Sequence, residues 1–366
     1  MVNLMLDDQG RIRRAKEAEE RKRAADIPIE ADWKRIFASK LTDSDRRKLE
    51  EVKAAMEAGK IARSDADKYT KTGRPKAFSK AEALRLWARL QEMKKEEKLR
   101  ALVENTPDNY YLVKTASDLR FLREAIENAD LIAVDCETFG EKAGDQFDPW
   151  VGKMAGFSVS TREYHFYVPL NHTERTELTE EQVFGELKNV LESTKIVMHN
   201  APFDAKFFYV HYGIDLITNL HADTRIMAVA LDENRSHKLK DLITDWLKEP
   251  SDNFDELFGA MHRFNEVPLD IALVYAAGDT EKTLKLYDWM MRWFDSREDL
   301  QRLKKLVFKI EMPVARQFIR SDLRGIGFDV KAAKRLDAHF AEEEKRLERE
   351  IHEMVGEFCL TSPAQM

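Results

Sequence analysis

Four acidic residues sit where a carboxylate is chemically awkward unless it serves a purpose. Asp135 and Glu137 end the apolar run LIAVDCE at residues 131–137, the pattern of a buried strand. On a strand, a spacing of two puts both carboxylates on one face. Side by side they repel, and burying them unpaired either costs several kcal/mol or drives their pKa values up. A divalent cation removes that conflict. Asp204 follows a second apolar run, KIVMHN at 195–200, after a turn containing Pro202. Asp279 lies in YAAGDTEKTLKLY at 275–287, which reads as helix, with Tyr275 one turn away on the same face. Each has an ordinary reading on its own. A strand-end Asp is most often a cap or turn residue, a helical Asp a solvated one, and a Tyr at helical spacing a half-buried core aromatic.

The elements that must position these residues are legible in outline. YYLV at 110–113 reads as a short strand, followed by a helix capped by Ser117 and running to about Asn128. KMAGFSVST (153–161) and EYHFYVPL (163–170) alternate as two strands of a hairpin. A helix from about Glu180 to Leu191 leads into the strand at 195–200, after which helical patterns dominate. Strands early and helices late predict an α/β layer with a mixed sheet. Ahead of it, Thr42 caps a predicted helix to about Ala58 with Gly59 ending it, and Ser79-Lys-Ala-Glu82 matches a capping box. The polar stretch 60–76 reads as a linker, and its GRP at 73–75 resembles a minor-groove hook only weakly. Residues 1–30 are dense in alternating charge and read as a solvated helix or a disordered tail.

Composition limits what such a site can serve. The 366 residues carry a net charge of −7, unevenly spread. Residues 1–100 hold 27 Lys+Arg against 19 Asp+Glu, whereas the remainder holds 33 against 48. A basic appendage on an acidic body is the expectation. An acidic body is a poor general binder of nucleic acid, but it suits carboxylates neutralised by metal. No run approaches the ~18 apolar residues of a membrane span. The N-terminus lacks the features of a secretory signal. The two cysteines, Cys136 and Cys359, form neither a disulfide framework nor a zinc spacing, so a reducing, cytoplasmic location and no membrane partner are expected.

Taken together and in order, the motifs resemble those of the 3′–5′ exonuclease domain of family A, polymerase I-like DNA polymerases. DCE at 135–137 is similar to the family's first motif, NAPFD at 200–204 to its second, and YAAGD at 275–279 to its third, tyrosine-bearing one. HADTRIMAVAL (221–231) and HKLKDLITDWL (237–247) resemble the helices placed between the second and third. The resemblance implies a ribonuclease H-like fold, a mixed five-stranded sheet with flanking helices, over residues 106–298. A basic, mostly helical extension at 1–105 precedes it. IEMPVARQFIRSDLRGIGFD (310–329) and GEFCLTSPAQM (356–366) are similar to the opening of the polymerase thumb, which implies a helical thumb-like start at 299–366. The palm and fingers motifs are not matched, so synthesis by this chain is not expected. Two departures are noted: Gly278 stands where an acidic residue is common, and Phe139-Gly140-Glu141 differs from the usual run after the first motif.

By this resemblance Asp135, Glu137 and Asp279 hold one divalent ion, Mg²⁺ or Mn²⁺. Asp135 bridges to a second, which Asp204 places directly or through water. Tyr275 orients the attacking water. Thr138, Asn200 and Phe203 are the expected contacts to the terminal nucleotide, Phe203 by stacking and the others by hydrogen bonds. The expected activity is proofreading hydrolysis of single-stranded or frayed DNA 3′ ends in a bacterial or phage-infected cell. The expected partner is a polymerase, as a separate chain or as the remainder of a longer one. Two readings compete: an RNA exonuclease of the ribonuclease D type, which shares the motif set, and a non-catalytic primer–template clamp. The thumb-like segment argues against the first, and four intact acids argue against the second.

Overall fold

A computed structural model describes residues 29–72, 74–251, 257–258 and 263–362. The charged stretch read as a solvated helix or tail lies outside them as far as residue 28, as do Gly73 and residues 363–366.

Helices α1 (Glu30–Ala38), α2 (Asp43–Glu57) and α3 (Lys80–Glu104) bury Trp33, Ile36, Leu49, Val52, Phe78, Leu86 and Leu90 in a cluster of their own. Thr42 caps α2 through the Asp45 amide, and Gly59 ends it at φ +70°, a conformation that favours glycine. The segment after it is not a linker. Ile61 is buried, and Arg63 forms an ion pair with Glu82 at 2.6 Å while donating to the carbonyls of Asp67 and Lys76. That ion pair also undoes the expected capping box. Ser79 accepts from the Glu82 amide, but the Glu82 carboxylate is taken by Arg63. Farther along α3, Leu99 and Leu102 pack against the main body.

The body is built on a six-stranded sheet of order β1-β4-β3-β2-β5-β6, with β1 Tyr110–Leu112, β2 Ile132–Phe139, β3 Lys153–Ser160, β4 His165–Pro169, β5 Ile196–Met198 and β6 Leu220–Asp223. β3 runs antiparallel to both of its neighbours, and the other pairings are parallel. The fold is α/β and ribonuclease H-like. One strand more than expected is present. β6 is four residues long, and its last residue, Asp223, also caps the following helix, so HADTRIMAVAL reads as one helix with no turn signal between the elements.

Helix α4 (Ala116–Glu127) begins two residues earlier than read. Thr115, not Ser117, caps it, because Asp118 returns a bond to the Thr115 amide and completes a capping box. Helices α5 (Glu180–Ser193), α6 (Ala201–Tyr212), α7 (Thr224–Leu231) and the short α8 (Leu239–Leu242) follow, the last continuing as a π turn over Ile243–Leu247. The 27-residue α9 (Leu269–Asp295) crosses β2, β3 and β4 on a face rich in small side chains, Ala272, Ala276, Ala277, Gly278, Thr280 and Thr283. Small residues let its backbone approach the sheet closely, which carries Asp279 to the sheet's face.

After α10 (Glu298–Leu306) and a π turn, α11 (Met312–Arg324) docks on the body through buried Met312 and Ile319 and through Arg316, which donates to the Leu220 carbonyl at 2.8 Å. Its other apolar positions, with those of the preceding turns, remain exposed: Leu306, Ile310, Val314 and Phe318. None of the described residues of α12 (Val330–Val355) is buried.

Candidate active site

The first two acids lie where the apolar strand demands. On β2, Asp135 stands opposite Ser158 and Glu137 opposite Gly156 of β3, both half-buried, while Cys136 between them points into the core. A bulge between Glu137 and Thr138 breaks the register as the chain leaves the sheet. Asp204 arrives from β5 by a sharp turn. Asn200 adopts the left-handed conformation at φ +70°, which Asn tolerates better than most residues. The Asp223 carboxylate fixes this turn by accepting from the amides of Asn200 and Ala201 at 3.0 and 2.8 Å. Asp204 therefore sits in the first turn of α6, and only 1% of its surface is exposed. Its Oδ1 accepts from the Cys136 amide at 2.9 Å, tying α6 to β2 between the two strand acids.

The fourth acid comes with an unforeseen companion. Asp279 is buried on α9, and its carboxylate pairs with the Lys240 ammonium from α8, the two side chains being 11% and 13% exposed. The same ammonium lies 4.6 Å from the centre of the Tyr275 ring. That ring is held edge-on by Phe258, with Phe264 tilted against it. Lys240 lies within HKLKDLITDWL, where the sequence shows only a helical flank. A lone Lys carries no spacing signal, so sequence reasoning missed it.

The electrostatics show convergence. Burial pushes the Asp135 carboxyl up to about 6, with nearby Lys240 pulling the other way. Glu137 is raised well above the usual range, first by burial and then by Asp135, with Asp204 adding to it and Lys240 opposing. Asp204 is raised by burial and by Asp135, against the bond from the Cys136 amide. The structure thus brings Asp135, Glu137 and Asp204 within one another's field and joins Asp279 to them through Lys240.

The expected nucleotide contacts are placed differently. Thr138 spends its hydroxyl on the Gln146 carbonyl at 2.7 Å, anchoring the loop that exposes Phe147 and Trp150. Asn200 accepts through Oδ1 from Arg225 at 2.9 Å. Phe203 is half-buried one position before Asp204, its ring 5.1 Å from that of Phe207. Asn200 and Phe203 flank Asp204 at the start of α6, whereas Thr138 acts on the neighbouring loop.

The donor set suits a hard cation. It is all oxygen, and burial of several like charges leaves them short of positive charge, which one lysine only partly supplies. Among the described residues, no group of three or more His, Cys, Asp or Glu side chains is gathered closely enough to hold a metal ion as it stands. Asp279 is turned onto Lys240 instead. The residues suit a divalent ion by the chemistry of their oxygen donors, and holding one would require their side chains to draw together.

A mixed sheet that carries two acids on a central strand, flanked by helices bearing two more, has the ribonuclease H-like architecture. More narrowly, the chain belongs to the 3′–5′ exonuclease family of polymerase I-type DNA polymerases, whose 3′–5′ exonuclease model matches residues 110–295. It is 27% identical over 260 residues to DNA polymerase I of Borreliella burgdorferi, covering 70% of this chain and 27% of that protein. It is 28% identical over 225 residues to DNA polymerase DpoZ of Acinetobacter phage SH-Ab 15497, covering 57% of this chain and 33% of that one. The chain thus spans about a quarter to a third of the length of these relatives. Among solved structures, the POL domain of Pol1 from M. smegmatis, in complex with DNA primer-template and dNTP, superposes with a TM-score of 0.50 at 16% identity. That alignment covers 69% of this chain and 39% of the other.

Proposed function

We propose that this chain hydrolyses DNA from its 3′ end one nucleotide at a time, in a divalent metal-dependent editing reaction. The observation that carries the reading is that Asp135, Glu137 and Asp204 lie within one another's field, with Asp279 tied to them through Lys240, in a chain of this exonuclease family. Bound divalent ions supply an activated water and charge stabilisation for the departing 3′ oxygen. Asp135, Glu137 and Asp279 would hold one ion, and Asp135 would reach a second that Asp204 positions directly or through water. Asp204 is kept rigid for this by the Cys136 amide. Tyr275 directs its phenol at the attacking water and orients it. Asn200 and Phe203 grip the terminal nucleotide, and Phe147 and Trp150 on the Thr138-anchored loop offer rings for unpaired bases. A site that grips separated nucleotides selects frayed or mismatched ends, because these melt at lower cost than paired ones.

We further propose residues 106–298 as the exonuclease unit, with 1–105 and 299–366 serving a DNA or polymerase partner. The test is a 5′-labelled single strand, DNA and RNA in parallel, with Mg²⁺. Stepwise shortening of DNA that Asp135→Ala abolishes supports the reading. A ladder on RNA alone moves the assignment to RNA processing, and no ladder with any divalent metal ends it.

A further inference from the structure

We infer that Lys240 is a built-in counter-cation that competes with the divalent metal for Asp279, so that metal binding must expel it. The inference rests on the metal site proposed above and assigns it a regulator within the chain. A buried ammonium needs compensation, and Lys240 meets the Asp279 carboxylate and the face of the Tyr275 ring at 4.6 Å. Both belong to the third acid-bearing motif, on α9. Lys240 also lowers the proton affinity of Asp135 and Glu137, so its charge reaches the β2 acids as well.

The geometry of the attachment suits release. The backbone at Lys240 is anchored, since the next two buried residues, Leu242 and Ile243, are fully enclosed in the core. The ammonium itself rides on a four-carbon stem with freely rotating bonds. A divalent ion on Asp279 would stand beside the ammonium, and two cations in contact in a poorly solvated site repel strongly. The lysine therefore gives way while its helix stays. Before metal arrives, it holds Asp279 and Tyr275 in a fixed arrangement. Afterwards the metal takes over that task.

The deciding property is the direction of an effect. A lysine that only supported the fold would weaken metal binding when removed. A competitor strengthens it. Mn²⁺ titrated calorimetrically at pH 8, without DNA, into wild type, Lys240→Met and Lys240→Arg provides the test. The Met variant is expected to bind Mn²⁺ about tenfold more tightly or better, and the Arg variant about as wild type does. Equal or weaker binding by Lys240→Met overturns the inference while leaving the metal site intact. Absence of Mn²⁺ binding by the wild type overturns both this inference and the metal-dependent reading. Because loss of a buried cation can unfold the variant, reductive methylation of the wild type followed by peptide mass spectrometry is run alongside. Labelling of Lys240 should rise severalfold with saturating Mn²⁺, and unchanged labelling in the metal-bound protein overturns the inference.

Discussion

Glu137 stands opposite Gly156 across the β2–β3 ladder, and a Cβ on Gly156 would lie 2.5 Å from the Tyr167 hydroxyl and 2.6 Å from the Val168 carbonyl oxygen. The Tyr167 hydroxyl is itself hydrogen-bonded to His172 at 2.7 Å, so it has little freedom to retreat. Glycine here lets a buried phenol fill the space beneath an acid of the site. Gly156→Ala should destabilise the protein by about 1–3 kcal/mol through overpacking. It should also lower exonuclease activity, because the strand carrying Glu137 is pushed away. Urea unfolding beside a cleavage assay checks this, and an unchanged midpoint refutes the close-packing argument.

The raised carboxyls give the metal-free protein a pH dependence whose sign can be worked out. The Asp135 carboxyl titrates at about 6 in the folded chain against an ordinary value of ~3.9. A group raised on folding contributes stability that is fully present below the ordinary value and lost as pH rises through the folded one. Two buried histidines pull the other way: His172 and His199 are each lowered to about 4 by burial, so their contribution fades as pH falls from ~6.5. A difference isolates the acid. In EDTA, the stability of Asp135→Asn relative to wild type should grow between pH 4 and pH 7 and then level off. Excess Mg²⁺ should reverse the ranking at pH 8. A difference that stays flat across that range contradicts the assignment.

Much of this arrangement was legible in the chain because buried strands and paired acids leave strong local patterns. LIAVDCE shows both its burial and the shared face of Asp135 and Glu137 at a spacing of two. The hairpin alternation at 153–170 is equally plain. What escaped depends on partners distant in sequence. β6 is hidden because Asp223 ends a strand and caps a helix at once. Glu82 looks like a capping-box residue until Arg63, nineteen positions earlier, takes its carboxylate. Lys240 meets Asp279 across 39 residues, a relation that no local spacing encodes.

Gly278 offers a stabilising substitution next to the site. Its backbone is helical with ordinary φ, and an added Cβ would meet only the Tyr110 hydroxyl at 3.6 Å, an ordinary contact. Alanine removes the glycine's conformational freedom in the unfolded chain without strain in the folded one. Gly278→Ala should raise stability by about 0.5–1 kcal/mol. A thermal scan measures it, and a loss of stability would mean that α9 cannot yield even slightly against β1.

Tyr275 separates the two tasks that α9 performs for the site. Its ring packs against Phe258 and Phe264 and lies under the Lys240 ammonium, while its hydroxyl is the only part suited to directing a water. Tyr275→Phe keeps every ring contact and deletes only the hydroxyl. Stability and Mn²⁺ affinity should therefore stay close to wild type. The rate of nucleotide release under saturating DNA should fall about 10- to 100-fold, the scale of losing one positioned group from the reacting centre. Substrate affinity should hardly change, because the role proposed for the hydroxyl is on the water and not on the bases. Single-turnover cleavage with Mn²⁺ calorimetry on the same sample distinguishes the outcomes. If rate and metal affinity fall together, the phenol is holding the metal site in shape and is not orienting the nucleophile.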